Sequence, residues 1–217
     1  MVTQSGRIYL FREMYLRVSS YPFNLKSLQK FGHLNNVALQ KFSVNYNSEE
    51  AIITPQILED QVKLMGFPKF SFKNQIRPKI RHICAILGKI LKQKFRVSHS
   101  IKKNFEIFGL DFMVDENLQV WLIEANSNPS ITTENSFLNL LIPRMLDDAF
   151  KLTLDKMFPI PKKDSHFSKL YSNEKVQEVF EKYHDSTFPL QGYLDGENLW
   201  DKIKSEEIDS AFRSQVN

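Results

Sequence analysis

Cysteine is almost missing from this 217-residue chain. The single residue, Cys84, leaves no partner for an internal disulfide and no multi-cysteine zinc site, which fits a reducing compartment. Long hydrophobic runs are missing too: no apolar stretch approaches the roughly 18–20 residues that span a bilayer. The opening MVTQSGRIYLFREMYLR lacks the charged region and continuous apolar run of a secretory leader. Glycine is scarce, at 7 residues, and neither G-x-x-x-x-G-K-[ST] nor G-x-G-x-x-G occurs. Charge of one sign is not in large excess: 29 Lys and Arg face 25 Asp and Glu, for a formal +4. That balance carries no nucleic-acid stripe. The densest basic run, from Lys89 to Lys103, reads as a solvated helix end or as a surface for an acidic partner. What the chain has in quantity is phenylalanine, 18 residues, so an aromatic-rich core is expected.

Residues 7–20 read as one long strand or a bent pair, because apolar Ile8, Leu10, Met14 and Leu16 partly alternate with Arg12, Glu13 and Arg17. Residues 21–36 are loop-like, and 37–46 suit a short strand or extended segment. A helix is expected over 55–65, with Thr54 as cap and Pro55 in the first turn. The clearest helix is 78–95, where Ile80, Ile83, Cys84, Leu87, Ile90 and Leu91 form an apolar stripe. His82 and Cys84 are two apart and project to different sides, which makes a core cysteine and a surface histidine rather than a metal pair. A second helix is expected over about 137–158. Beyond Pro159-Ile160-Pro161, residues 161–217 read as a linker and a tail with short helices near 174–183 and 197–213.

Between the two helices lies FEIFGLDFMVDENLQVWLIEANSNPS, residues 105–130, which reads as a hairpin. Side chains alternate faces along a strand, so Asp111 shares a face with Gly109 and Met113, and Glu124 shares one with Asn126. A two- or four-residue loop at Asp115-Glu116-Asn117 pairs Asp111 with Leu122 and sets Glu124 on the diagonal, about 7–8 Å away. An odd loop without a bulge would turn Asp111 to the other face. Two carboxylates and an amide in apolar strands need a counter-charge: an Arg or Lys partner, protonation, or a metal. Oxygen-only ligands suit Mg²⁺ rather than zinc, and Mg²⁺ takes phosphate oxygens for its remaining positions, so a nucleotide is the natural companion. A salt-bridged edge hairpin is the alternative.

FGLDFMVDENLQVWLIEANSNPS resembles the signature hairpin of the tubulin tyrosine ligase and tubulin tyrosine ligase-like family, F-G-x-D, a turn with D-E, then W-L-[IL]-E-x-N-x-x-P. RIYLFREMYLR and HLNNVALQKFSVNY resemble two further blocks, and together the likeness covers about residues 7–160. The resemblance implies an α+β chain: the C-terminal lobe of an ATP-grasp fold, an antiparallel sheet with flanking helices, over 1–160, followed by a helical tail. It implies an ATP- and Mg²⁺-dependent ligase that joins a free amino acid to a carboxylate of tubulin or another acidic protein through an acyl phosphate. By resemblance Asp111, Glu124 and Asn126 are the metal ligands, Asn35 and Asn36 contact the nucleotide, Lys41 lies near the amino-acid substrate, and Arg17 is the catalytic arginine of the early strand. A cytoplasmic setting, on microtubules or in a cilium, follows, with neither nucleic acid nor membrane as partner.

The chain departs from the family pattern in three places. Asn35 stands for the threonine of His-Leu-Thr-Asn, and Met14 for the glycine after Arg-Glu. The Lys-Phe-Asp-Ile-Arg block expected before Arg7, the phosphate-cradling lysines and their glycine-rich cover are not in the sequence. Two expectations follow: part of a longer ligase, or a module that binds tubulin or a partner without turnover. Tyrosine, glutamate and glycine remain open as the amino acid.

Overall fold

The computed structural model describes residues 1–3, 6–95, 104–158, 190–194 and 197–213. Its centre is a four-stranded antiparallel sheet in the order β5-β1-β2-β8, built from β1 (Val2–Thr3), β2 (Ile8–Phe11), β5 (Phe105–Glu106) and β8 (Trp200–Ile203). Alternation along β2 and β8 sends Ile8 and Ile203 to one face and Phe11 and Trp200 to the other. The first face packs on α4 (Arg77–Phe95) and α7 (Ser205–Arg213), around Ile80, Cys84, Ala85, Ile208 and Ala211. The second packs on α5 (Ser136–Leu152), around Leu138, Leu141, Ile142 and Ala149. The result is helix, sheet, helix in three layers, a mixed helix-and-sheet chain with antiparallel pairing.

The long helix α4 follows its apolar stripe, with Ile80 and Cys84 buried, though Ile90 is 46% exposed. It begins one residue before the expected start and is fed by a π-helical turn over Phe72–Ile76. Gly88 is where α4 approaches β2, since a Cβ there would lie 2.3 Å from Ile8 Cδ1. Cys84 is a buried core residue, and burial pushes its thiol up to about 11. Helix α3 (Pro55–Leu64) starts as read, with Thr54 Oγ1 accepting from the Ile57 amide and Pro55 in the first turn. Helix α5 is capped by Asn135, whose side chain accepts from the Leu138 amide, and ends at Leu152 before a short α6 (Leu154–Met157).

Of the two forms read for residues 7–20, the broken one is found: β2 is followed by a separate β3 (Leu16–Arg17), which leaves the central sheet and pairs with β4 (Ile52–Ile53). Other sequence expectations are corrected. Residues 37–46 are not extended: Val37–Gln40 is a short helix, α2, because the Asn36 side chain caps it and turns follow. A preceding turn, Lys30–His33, is α1. Phe105 and Glu106 pair with β1 rather than with the second hairpin strand. Residues 200–203 form a strand, because β2 offers an open edge and Trp200 and Ile203 alternate onto the two cores. Only 205–213 is helical there. The helix expected at 174–183, and most of the basic run after Lys92, lie outside the described residues. Lys89 itself pairs with Asp209 at 3.6 Å.

Candidate active site

The hairpin is a two-stranded sheet of its own, β6 (Gly109–Val114) and β7 (Val120–Asn126). Its loop, 115–119, has five residues. Asp115 organises it: one carboxylate oxygen accepts from the amides of Asn117 and Gln119, both at 2.9 Å, and the other from Trp121 Nε1. Those bonds, the Trp121 one foremost, hold the Asp115 carboxyl below its ordinary range. Leu118 adopts a left-handed φ of 58°, and its carbonyl accepts from Lys79 Nζ.

This loop pairs Val114 with Val120 and Phe112 with Leu122. Carried on unchanged, that register would set Asp111 opposite Ile123. A bulge between Asp111 and Phe112 on one side, taking up Ile123 on the other, instead sets Asp111 directly opposite Glu124 and Gly109 opposite Asn126. The expected Asp111–Leu122 pairing is therefore corrected. The conclusion it served survives by another route: an odd loop flips the faces, and a bulge flips them back. Leu110 and Phe112 pack on the first core. The opposite face carries Asp111, Glu124 and Asn126 at its open end, with Met113 and Trp121 towards the turn, 45% and 56% exposed. Gly109 lets the chain after β7 fold back, because a Cβ would stand 2.8 Å from Pro129 Cβ.

The carboxylates have partners. Arg17 Nη2 lies 2.6 Å from Asp111 Oδ2, and Asn126 Nδ2 donates to Glu124 Oε1 at 3.0 Å. Arg17 comes from β3, whose backbone is fixed by pairing with Ile52. A cavity of about 920 Å³ opens beside this pair; Arg17, Asn35, Asn36, Asp111 and Glu124 are on its wall, and its lining as a whole is largely apolar. Lys41 and Asn126 are not on that wall. Lys41 pairs instead with Glu134, at 2.8 Å, and that contact holds the ammonium more firmly protonated. Asn36 caps α2 through the Ala38 amide, and Asn35 Nδ2 reaches the Arg17 carbonyl at 3.5 Å.

One organising residue escaped sequence reasoning. Gln40 is 1% exposed, and its amide is fully used: Nε2 donates to the carbonyls of Phe31 and Leu34, and Oε1 accepts from the Ser20 amide and hydroxyl. It ties α1 and α2, and so Asn35 and Asn36, to the chain just after Arg17. Its place beside Lys41 in the VALQK block was the available signal.

The donor chemistry fits a hard cation: two facing carboxylates and an amide, with oxygens to offer and no sulfur or imidazole. Among the described residues, no three His, Cys, Asp or Glu side chains gather into a metal-binding group, so protein carboxylates alone would leave a cation with open positions. No helix of the described residues is long and apolar enough to cross a membrane.

Comparison with known proteins identifies the family. The model of the tubulin-tyrosine ligase family matches residues 1–166. Tubulin glycylase 3A of Drosophila melanogaster is 31% identical over 158 residues, which cover 71% of this chain and 16% of that protein. Tubulin glycylase 3B of Tetrahymena thermophila is 31% identical over 155 residues, 69% of this chain and 13% of its own length. Tubulin glycylase 3F of the same organism is 26% identical over 208 residues, 94% of this chain and 22% of its own. The chain thus spans less than a quarter of the length of these relatives. With more than half of it matched by the family model, the chain belongs to the tubulin-tyrosine ligase family.

Proposed function

We propose that the chain is part of an ATP-dependent ligase that attaches glycine to tubulin, and that its fold is the C-terminal portion of an ATP-grasp domain. The observation that carries the reading is the pairing of Asp111 with Glu124, with Asn126 alongside, on the hairpin that carries the family resemblance. Glycine is favoured over tyrosine and glutamate because the relatives named above are glycylases.

In this reading an oxygen of the acceptor carboxylate attacks the terminal phosphorus of ATP and ADP leaves. The amine of glycine then attacks the acyl carbon, the C–O bond to phosphate breaks, phosphate departs, and the nitrogen loses a proton. Asp111, Glu124 and Asn126 are the residues that would hold Mg²⁺, which would supply positive charge next to the phosphate oxygens. Arg17 faces the cavity with a planar donor set suited to phosphate or carboxylate oxygens. Asn35 and Asn36 line the same wall with amides that can hold a nucleotide, and Gln40 keeps both in place. Lys41 offers a permanent cation for the carboxylate of the incoming amino acid. A phosphate-cradling lobe, on this or another polypeptide, completes the site, and the enzyme acts where tubulin is found.

A second reading, a tubulin-docking module without turnover, draws on the carboxylates being satisfied by Arg17 and Asn126 without a cation. The test separates the two. The native protein, purified from its own cells, is incubated with tubulin, ATP and labelled glycine, glutamate or tyrosine, beside a Glu124→Gln version. Glycine label in tubulin that the substitution abolishes is the expected result. Label from glutamate or tyrosine would overturn the choice of amino acid. Microtubule binding with no label from any of the three would replace the ligase reading with the docking one.

A further inference from the structure

Asp111 and Glu124 are already engaged by groups that a cation would have to displace or turn. The guanidinium of Arg17 occupies Asp111 Oδ2 at 2.6 Å, and the amide nitrogen of Asn126 occupies Glu124 Oε1 at 3.0 Å. Asn126 therefore presents a donor, not its oxygen, to Glu124. For the three residues to offer oxygens together, the Asn126 amide must turn over and the guanidinium must withdraw. We infer that the site works by exchange: Arg17 is a built-in stand-in for the divalent cation, and cation binding frees its guanidinium for an anion in the adjoining cavity. This inference rests on the proposed reading of the hairpin as a cation site.

Charge and geometry carry it. Asp111, Glu124 and Arg17 sum to one negative charge, which favours entry of a cation. A divalent ion turns that sum to one positive charge while Arg17 stays nearby, which favours an anion next. The strand under Arg17 cannot follow its side chain, because Arg17 and Leu16 are paired to Ile52 and Ile53. The exchange is thus a side-chain movement over a fixed backbone. Arg17 already stands on the cavity wall beside Asn35 and Asn36, so the freed guanidinium has a lined space to serve. A guanidinium presents paired N–H donors that match two phosphate oxygens. Linkage then requires that cation and phosphate each strengthen the binding of the other by one common factor.

The test uses Mn²⁺ as probe, its free concentration read by electron paramagnetic resonance, with the full chain as wild type, Arg17→Gln, Arg17→Lys and Glu124→Gln. Inorganic phosphate is the anion. In wild type, phosphate is expected to tighten Mn²⁺ binding by about fivefold or more, the lower end of ordinary coupling. Arg17→Gln removes the competitor, so Mn²⁺ alone binds several-fold more tightly and the phosphate effect disappears. Arg17→Lys keeps the charge but not the paired donors; it binds Mn²⁺ about as wild type does, with a smaller phosphate effect. Mn²⁺ affinity in Arg17→Gln equal to or weaker than wild type, or an undiminished phosphate effect, would overturn the exchange while leaving the cation site standing. Equal Mn²⁺ binding by wild type and Glu124→Gln, or none by either, would remove the cation site and the exchange together.

Discussion

Arg144 and Asp148 form an ion pair that is almost completely closed to solvent, with side chains 1% and 2% exposed. Arg144 Nε donates to Asp148 Oδ2 at 3.0 Å, one turn along α5. The same Oδ2 accepts from the Leu199 amide at 2.9 Å, and Arg144 Nη2 donates to the carbonyls of Leu194 and Glu197. The pair therefore fastens the segment before β8 to α5, and β8 in turn completes the central sheet beside Arg12, which holds Glu197 and Asp201. Asp148→Ala leaves a buried guanidinium without its carboxylate, which costs about 3–5 kcal/mol. The Leu199 amide also loses its acceptor, so about 4 kcal/mol is a fair working figure, a large share of the roughly 5–15 kcal/mol that holds a domain folded. With a urea slope of about 2 kcal/mol per M, the midpoint falls by about 2 M. Urea titration followed by tryptophan fluorescence reads it, because Trp200 sits in the affected core. Arg144→Met with Asp148→Leu removes both charges and is expected to recover more than half of the loss. A shift below about 0.5 M for Asp148→Ala, or a double variant no better than the sum of the two single ones, would refute the reasoning.

Gly88→Ala inserts a methyl 2.3 Å from Ile8 Cδ1; overpacking of about 1–3 kcal/mol against a helix-propensity gain of about 1 leaves a net loss, and stability equal to wild type in urea would contradict it. Gly109→Ala drives a methyl to 2.8 Å from Pro129 Cβ, so the turn after Asn126 must move and Mn²⁺ affinity should fall several-fold; unchanged affinity would show that this turn does not set Asn126. Burial raises the Cys84 thiol from 9.0 to about 11, so the folded chain keeps its proton where the unfolded chain has lost it. Stability is then lost as pH rises from 9 towards 11, and a thiol reagent at pH 8 should label Cys84 only on unfolding; rapid labelling of native protein would refute it. The depressed Asp115 carboxyl has the opposite sign: its turn bonds hold above pH 4 and fail as acid protonates it, so the protection of the Asn117 and Gln119 amides, relative to their intrinsic exchange rates, should fall only in that acid range.

Features governed by short-range rules were legible before any fold was known. Helix α3 follows from Thr54 and Pro55, and α4 from apolar residues three and four apart. The hairpin with its carboxylates, and the family, were legible because motif and alternation both lie within a few consecutive residues. Isolated pairing rules could not see that a five-residue loop and a bulge at Ile123 cancel, because a bulge is chosen by what the two strands must pack against on each side. Nor could they see that Arg17 meets Asp111 across 94 positions, or that 200–203 becomes a strand by taking the open edge of β2, since both depend on partners brought close only by the folded chain. Local preference decided which residues form helices and where Asp111 and Glu124 could face each other. Long-range packing made them do so, and set the Arg17 guanidinium against Asp111.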